Sequence, residues 1–204
     1  MPLQNRVTPF GDLVAAAARG TVMGNRGGMF HDPGTRALSG RRWSSRRWLC
    51  CALDFPGSHR HPVWSRGYTQ LFFLDEVTAL AAGHRPCAEC RRTAARAFQA
   101  AADVPSLAAL DLRLHAERLD GRRQRRWRAP IAELPDGAIV AVDGVPHARR
   151  AGRLLAWSHG GYGSAAEVGD EVAEVLTPPL TLAALRAGYR PLWHPTARGG
   201  GQDP

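Results

Sequence analysis

The stretch Leu71-Phe72-Phe73-Leu74-Asp75-Glu76-Val77-Thr78-Ala79-Leu80-Ala81-Ala82-Gly83-His84-Arg85-Pro86-Cys87-Ala88-Glu89-Cys90-Arg91-Arg92 decides how this chain is read. Its apolar opening reads as the end of a strand over residues 68–74. Asp75 stands where a short helix over residues 76–82 needs a capping side chain. Gly83 would stop that helix in the left-handed conformation. The chain then turns through Arg85-Pro86 into Cys87-x-x-Cys90, and a second, Ala-rich helix over residues 91–102 begins inside that turn. Its arginine-rich first turn opposes the helix dipole unless a metal thiolate lies there.

Two cysteines in such a turn sit about a tetrahedral edge apart, which suits zinc at roughly 2.3 Å from each sulfur. One pair supplies half a site. The other half is expected from the strand over residues 48–55, which carries Cys50 and Cys51, so the candidate ligands are Cys50, Cys51, Cys87 and Cys90. Neighbouring strand residues face opposite sides, so one of Cys50 and Cys51 should reach the same ion. His31, His59, His61, His84 or a water can complete the set. Adjacent and Cys-x-x-Cys cysteines do not form the framework of a secreted disulfide domain. A thioredoxin-type redox motif would follow a strand, whereas this one follows a helix and a glycine turn.

Residues 71–75 and 79–92, with their core Ala81-Ala82-Gly83-x-Arg85-Pro86-Cys87-x-x-Cys90, resemble the zinc-binding domain of Ada-type DNA alkylation repair proteins over about a tenth of the chain. In that family four cysteines hold zinc, and one zinc thiolate accepts a methyl group from a phosphotriester of the DNA backbone. The resemblance implies that Cys87 and Cys90 are the second ligand pair. The family's first pair is Cys-x-x-x-Cys, where this chain offers adjacent Cys50 and Cys51. The whole chain is also similar to a set of bacterial proteins of about this length, a likeness that carries no activity.

Outward from this core, residues 7–19 place Phe10, Leu13, Val14 and Ala17 at helical spacing, predicting a short amphipathic helix. A glycine- and arginine-rich loop follows over residues 20–40, then the basic, aromatic run Arg41-Arg42-Trp43-Ser44-Ser45-Arg46-Arg47-Trp48. A hairpin is the simplest pairing for strands 48–55 and 68–74. After Pro105, Leu107, Leu110 and Leu114 predict a helix ending at Asp120-Gly121. The run Arg122-Arg123-Gln124-Arg125-Arg126-Trp127-Arg128 marks a boundary, beyond which short strands alternate with turns such as Asp143-Gly144. The expected fold is α+β: an Ada-like zinc-binding hairpin-helix unit in a DNA-binding lobe, residues 1–125, and a small β-rich lobe, residues 126–204. The segment at residues 79–86 is echoed by Ala184-Leu185-Arg186-Ala187-Gly188-Tyr189-Arg190-Pro191, without the cysteines.

The 204 residues include 27 arginines and no lysine, and the formal charge is +9 at pH 7. Such a surface attracts phosphate-rich partners through counterion release, and DNA is the expected partner. Arg41, Arg42, Arg46, Arg47, Arg91, Arg92, Arg125 and Arg126 are the candidate phosphate contacts, with Trp43, Trp48 and Trp127 available to stack on unpaired bases. An alternative is a metal-dependent nuclease or other hydrolase acting on nucleic acid, with structural zinc. Its candidate catalytic group is His115, Glu117 and Arg118, joined by His159 and Tyr162 of a glycine-rich turn. Residues two apart do not share a helix face, so His115 pairs better with Arg118 than with Glu117. No window reaches the roughly 18 apolar residues of a membrane span, and residues 1–20 lack the pattern of a signal peptide, so a cytoplasmic protein is expected.

Overall fold

The computed structural model describes residues 1–56, 62–169 and 171–198. Fourteen strands and four α-helices follow one another among them. The first part runs β1 (Arg6–Val7), β2 (Leu13–Val14), β3 (Val22–Asn25), β4 (Leu49–Cys51), β5 (Leu71–Phe73), α1 (Glu76–Ala81), β6 (Arg85–Pro86), α2 (Arg92–Ala101) and α3 (Leu107–Arg118). The small hairpin β7 (Leu119–Asp120) and β8 (Arg123–Gln124) leads into β9 (Trp127–Pro130), β10 (Ile139–Val142), β11 (Val145–Arg150), β12 (Arg153–Ser158), β13 (Gly161–Glu167), β14 (Val172–Val175) and α4 (Pro179–Arg186). The fold is α+β.

The first sheet has the order β2-β1-β5-β3-β4-β6, and the second β13-β12-β11-β10-β14-β9. Two sequence expectations give way in the first. Residues 7–19 form no helix: Gly11, at φ 77°, turns the chain back so that β1 and β2 pair antiparallel. Val7 and Leu13 both enter the apolar core, a burial that a two-stranded ribbon satisfies as well as a helix face. The strands carrying Cys50-Cys51 and Leu71 do not pair with each other, because β3, from within the glycine-rich loop, lies between them and pairs antiparallel with both. A side chain at Gly24 would run into the backbone oxygen of Leu49, so the glycine that hides this strand in the sequence is what lets β4 lie beside it.

The decisive segment folds as its residues predict. Asp75 caps α1 by accepting from Thr78 N at 2.9 Å. The helix ends with Gly83 N donating to Leu80 O and His84 N to Ala79 O, with Gly83 at φ 82°. A Cβ on Gly83 would also strike the Arg118 side chain, so the position is closed to other residues twice over. The echo is the same device: after α4, Gly188 N donates to Leu185 O and Tyr189 N to Ala184 O, with Gly188 at φ 100°. In each copy a strand precedes the helix.

Strands β10 to β13 of the second sheet form a meander whose first two turns use left-handed pairs, Asp143 at φ 50° with Gly144 at 77° and Ala151 at 48° with Gly152 at 73°, matching the twist of antiparallel hairpins. Helix α1 lies between the two sheets. Val77 and Ala81 pack with Ile139, Ala148, Leu155 and Tyr162 of the second sheet. Ala79 faces Phe73 and Cys50 of the first, and Leu80 joins α2, α3 and α4.

The acidic pair at the start of α1 is fully buried. Asp75 also accepts from Tyr162 Oη and His194 N, both at 2.9 Å. Glu76 accepts from Arg91 Nη2 at 2.6 Å, Tyr189 Oη at 2.6 Å and Leu192 N at 2.8 Å. Removing one partner of such a buried ion pair typically costs about 3–5 kcal/mol, because the other charge is left unpaired. Glu76→Ala is therefore expected to lower the unfolding free energy by about that amount, against under 1 kcal/mol for the exposed-pair variant Asp136→Ala, read from denaturant unfolding of the two proteins.

Candidate metal centre and arginine cluster

Strands β3, β4 and β6 lie side by side, and their two ends carry different chemistry. Met23 is opposite Cys51, and Asn25 opposite Leu49. Strand β6 runs parallel to β4, with Leu49 beside Arg85 and Cys50 beside Pro86. Cys51 and Cys87 therefore fall at one end of the trio, while Trp48, Arg26 and His84 fall at the other, about 10 Å away at the rise of a strand.

At the first end, the sulfurs of Cys51, Cys87 and Cys90 lie within 4.8 Å of one another, an arrangement that can hold a metal ion. The turn that brings Cys87 and Cys90 together is closed by Arg91 N donating to Cys87 O at 3.0 Å, and Cys87 N is tied to Cys50 O of β4 at 2.9 Å. Helix α2 begins just beyond, with neither a capping side chain nor an acidic residue in its first turn, so its N-terminal N–H groups face the cysteine turn. The hydrogen bond with Cys51 and the N–H groups of Cys90 and Glu89 draw the Cys87 thiol below its ordinary value against the effect of burial. The same Cys51–Cys87 bond, with burial, pushes Cys51 up, and burial pushes Cys90 up. The three share protons, and a divalent cation among them would favour all three thiolates. Tyr68, half-buried beside them, is pushed up to about 12 by burial and by the neighbouring cysteines.

Cys50 is outside this group. It points to the other face of β4, into the core beside Leu71, Phe73 and Ala79, and its sulfur accepts from Arg91 Nη1 at 3.2 Å. Alternation along the strand thus separates the two adjacent cysteines, leaving Cys51 as the member that meets Cys87 and Cys90. Of the histidines considered as ligands, His31 is stacked on Trp64 and bonded to Thr69 Oγ1 at 2.8 Å. His84 lies at the far end of the strand trio, against Trp48 and Phe73. His59 and His61 lie outside the described residues. Nothing in the spacing of the chain marks Tyr68, which reads only as the start of a strand.

The second end holds an unusual concentration of cations. The guanidinium carbons of Arg26 and Arg118 lie 4.0 and 3.9 Å from the Trp48 ring centroid, and all three residues are buried. Arg26 donates to His84 Nε2 at 3.3 Å and to Gly11 O at 2.9 Å. Arg118 donates to Gly83 O at 2.8 Å and Arg46 O at 2.6 Å, and lies 2.8 Å from His115 Nδ1. Burial and the charge of Arg42 lower Arg26 to about 9, and burial and the charge of Arg26 lower Arg118 to about 8, values at which both stay cationic at neutral pH.

The suggested catalytic trio is divided by its helix. His115 and Arg118 are together, but Glu117 turns to the side, accepting from Arg113 Nε at 3.0 Å and from Leu180 N, at the start of α4, at 2.7 Å. Tyr162 is a buried donor to Asp75, and His159 sits in the turn before β13 against Trp157. The arginines divide too. Arg41, Arg46, Arg47, Arg92 and Arg125 are exposed, and Arg42 is half-exposed and paired with Asp12 at 3.2 Å. Arg126 is exposed and paired with Glu174 at 2.9 Å. Arg91, whose guanidinium is locked against Glu76 and Cys50, is not free to meet phosphate. Trp127 packs in the core of the second sheet, whereas Trp43 stands half-buried against Trp48.

No family model matches the chain, and no curated protein or solved structure matches it. No helix among the described residues is long and apolar enough to cross a membrane.

Burial, reinforced by Arg26 and Arg118, holds the His84 pKa well below 6.5, its unfolded value. The folded state then binds fewer protons than the unfolded one, so the stabilisation is complete above about pH 6.5 and is lost as pH falls toward the folded pKa. The melting temperature is expected to drop between pH 7 and 5, and His84→Gln should flatten that dependence, as followed by circular dichroism across the same buffers.

Proposed function

We propose that this chain is a zinc-binding, DNA-binding protein in which the metal fixes the fold and arginines hold phosphate. The observation that carries the nucleic-acid reading is the meeting of two basic runs from distant parts of the sequence. Arg122 Nη2 donates to Gly40 O at 2.6 Å, and Arg118 Nη2 to Arg46 O at 2.6 Å, so the loop carrying Arg41 to Arg47 adjoins the β7–β8 hairpin carrying Arg122, Arg123 and Arg125. Between them lies an open basin of about 690 Å³, lined by Phe10, Asp12, Gln124 and the arginines Arg42, Arg122, Arg123 and Arg126. Asp12 and Glu174 offset two of these charges. Arg122, Arg123 and Arg125 have no carboxylate partner among the described residues. Clustered guanidiniums around a wide groove suit a polyanion, and Trp43 lies in the small recess that adjoins it.

The metal reading rests on Cys51, Cys87 and Cys90. Thiolate-rich tetrahedral sites favour zinc, which would tie β4, the cysteine turn and α2 together. The resemblance of residues 71–92 to the Ada-type zinc domain extends the proposal to DNA repair. The metal lies at the opposite end of β4 from the basic basin, which supports a structural part for it rather than direct action on DNA bound there.

Elemental analysis is expected to find about one zinc per chain in the native protein, lost in Cys51→Ser and Cys87→Ser and retained in Cys50→Ala. A Cys50→Ala protein that loses zinc would overturn this assignment of ligands. Titration with fluorescent duplex and single-stranded DNA should show affinity falling steeply with salt, and Arg125→Ala should lower the logarithmic salt slope by about one. Affinity that is flat across the salt series would remove the nucleic-acid reading.

A further inference from the structure

Among the described residues three arginines, Arg26, Arg85 and Arg118, are buried and a fourth, Arg91, is nearly so, and two of the four have carboxylate partners. Arg85 holds Asp111 through two bonds of 2.8 Å, and Arg91 holds Glu76 at 2.6 Å. Arg26 and Arg118, 1% and 2% exposed, have none: their partners are carbonyl oxygens, neutral histidines and the Trp48 ring. Arg118 Nε is buried with no hydrogen-bond partner among the described residues. Cation–π contact and carbonyl oxygens supply only part of what a buried charge loses on leaving water. Two such charges side by side also repel each other. The arrangement is short of negative charge.

The missing charge has a place. Arg26, Arg118, Trp43 and Trp48 line a narrow recess of about 20 Å³ that shares Phe10, Arg42, Arg122 and Gln124 with the open basin. A volume of that size admits one water-sized group, such as a single phosphoryl oxygen, and not a whole phosphate. An internal phosphodiester could place one of its two non-bridging oxygens there but brings a single negative charge. A terminal phosphate offers three such oxygens and carries close to two negative charges at neutral pH against the two guanidiniums.

Gln124 adds a second requirement. Its Nε2 donates to Pro9 O, Ala81 O and Leu176 O at 2.8, 3.1 and 3.2 Å, which fixes the amide orientation. Its Oε1 is therefore a buried acceptor without a partner among the described residues, on a side chain that lines both recess and basin. Beside cations that demand an anion, an unpaired acceptor asks the same ligand for an O–H or N–H group. A water held by the phosphate, or a sugar or base donor of the same ligand, supplies the hydrogen while the phosphate keeps both of its charges.

We infer that the Arg26–Arg118 recess is a binding site for a terminal phosphomonoester, with the remainder of the ligand lying in the arginine-lined basin. The site is separate from the cysteine cluster and goes beyond general attraction to DNA, since it recognises the end of a strand or a free nucleotide rather than the backbone. The two sources share their chemistry, and the test below separates them.

Binding is followed by tryptophan fluorescence of the full chain, titrated with matched pairs: a short single-stranded oligonucleotide with and without a 5′-phosphate, the same oligonucleotide with and without a 3′-phosphate, and a deoxynucleoside 5′-monophosphate with its nucleoside. The phosphorylated member of at least one pair is expected to bind about tenfold or more tightly, the size of effect that charge-assisted hydrogen bonds to a buried anion produce. Arg118→Met removes a buried residue and can unfold the protein. The exposed Arg122→Ala and the rim variant Gln124→Ala are therefore used beside it, and each should cut the preference several-fold while leaving the circular dichroism spectrum intact. Preference confined to oligonucleotides assigns the recess to strand ends, and preference for the monophosphate assigns it to free nucleotides. Monophosphate binding by a protein that ignores all oligonucleotides would uphold this site while removing the DNA reading. Equal affinity within every pair, or a preference unchanged in both rim variants, would overturn the inference.

Discussion

The buried carboxylates of Asp75 and Glu76 are the constraint on which the arrangement of the whole molecule depends. A helix N-terminus with exposed orphan N–H groups needs an acceptor, and Asp75 provides it with one oxygen. With the other it holds Tyr162 of the second sheet and the backbone of His194, so the local cap is also the joint between the two sheets. Glu76 faces the other way, to Arg91, Tyr189 and Leu192. Each carboxylate leaves water entirely, which is costly, and each recovers that cost through three or more donors. Arg91 immediately follows Cys90, so the position of the cysteine turn is set from inside the core and not by the cysteines alone. A metal would find this turn already braced.

The same economy of elements explains how three short strands present two chemistries. Strands β3, β4 and β6 are two to four residues long, and nearly every one of their side chains is buried. At the Cys51 end they meet the N-terminus of α2, whose field favours negative sulfur. At the Trp48 end they meet the C-terminus of α3, whose carbonyls favour the cation of Arg118, the last residue of that helix. Helix polarity and strand direction together sort the thiols to one side and the guanidiniums to the other. The glycine that ends α1 participates as well, because Gly83 leaves room for the aliphatic stem of Arg118 and offers it a carbonyl.

Residues 71–101 were legible because their signals are local. A capping aspartate, a helix of small apolar residues, a left-handed glycine and a Cys-x-x-Cys turn each act within four or five residues, and the strand, helices and cysteine pair appear where those signals place them. The alternation rule likewise foresaw that Cys50 and Cys51 would part, without saying which would join the cluster. The first hairpin was hidden because Phe10, Leu13, Val14 and Ala17 also satisfy helical spacing, and only the turn at Gly11 decides between the two. Strand β3 was hidden by its own Gly24, since a strand that must pass close to its neighbour's backbone sheds the side chain that would announce it. The surroundings of Glu117 and Arg91 are illegible in the sequence for a different reason. Their partners, Leu180 N and Glu76, are brought to them by tertiary folding, which spacing along the chain does not encode.

An arginine-only composition makes net charge a blunt instrument, and position inside the fold is what gives these residues meaning. Where an arginine replaces a lysine on an open surface, little changes beyond hydration. Inside a protein the planar, permanently charged group must be matched in geometry as well as in charge. Arg85 is matched by both oxygens of Asp111, and Arg91 by Glu76 with the sulfur of Cys50, so those two are internal structure. Arg26 and Arg118 are matched in geometry by carbonyls and an indole ring but not in charge. Carboxylates touch Arg85 and Arg91, and none among the described residues touches the pair beside the opening, so the charge of that pair is left for the proposed anion to meet. The basic loops around that opening draw anions toward it, and the depth of the pair, with its low local dielectric, makes a short-range contact there stronger than any the exposed arginines can offer.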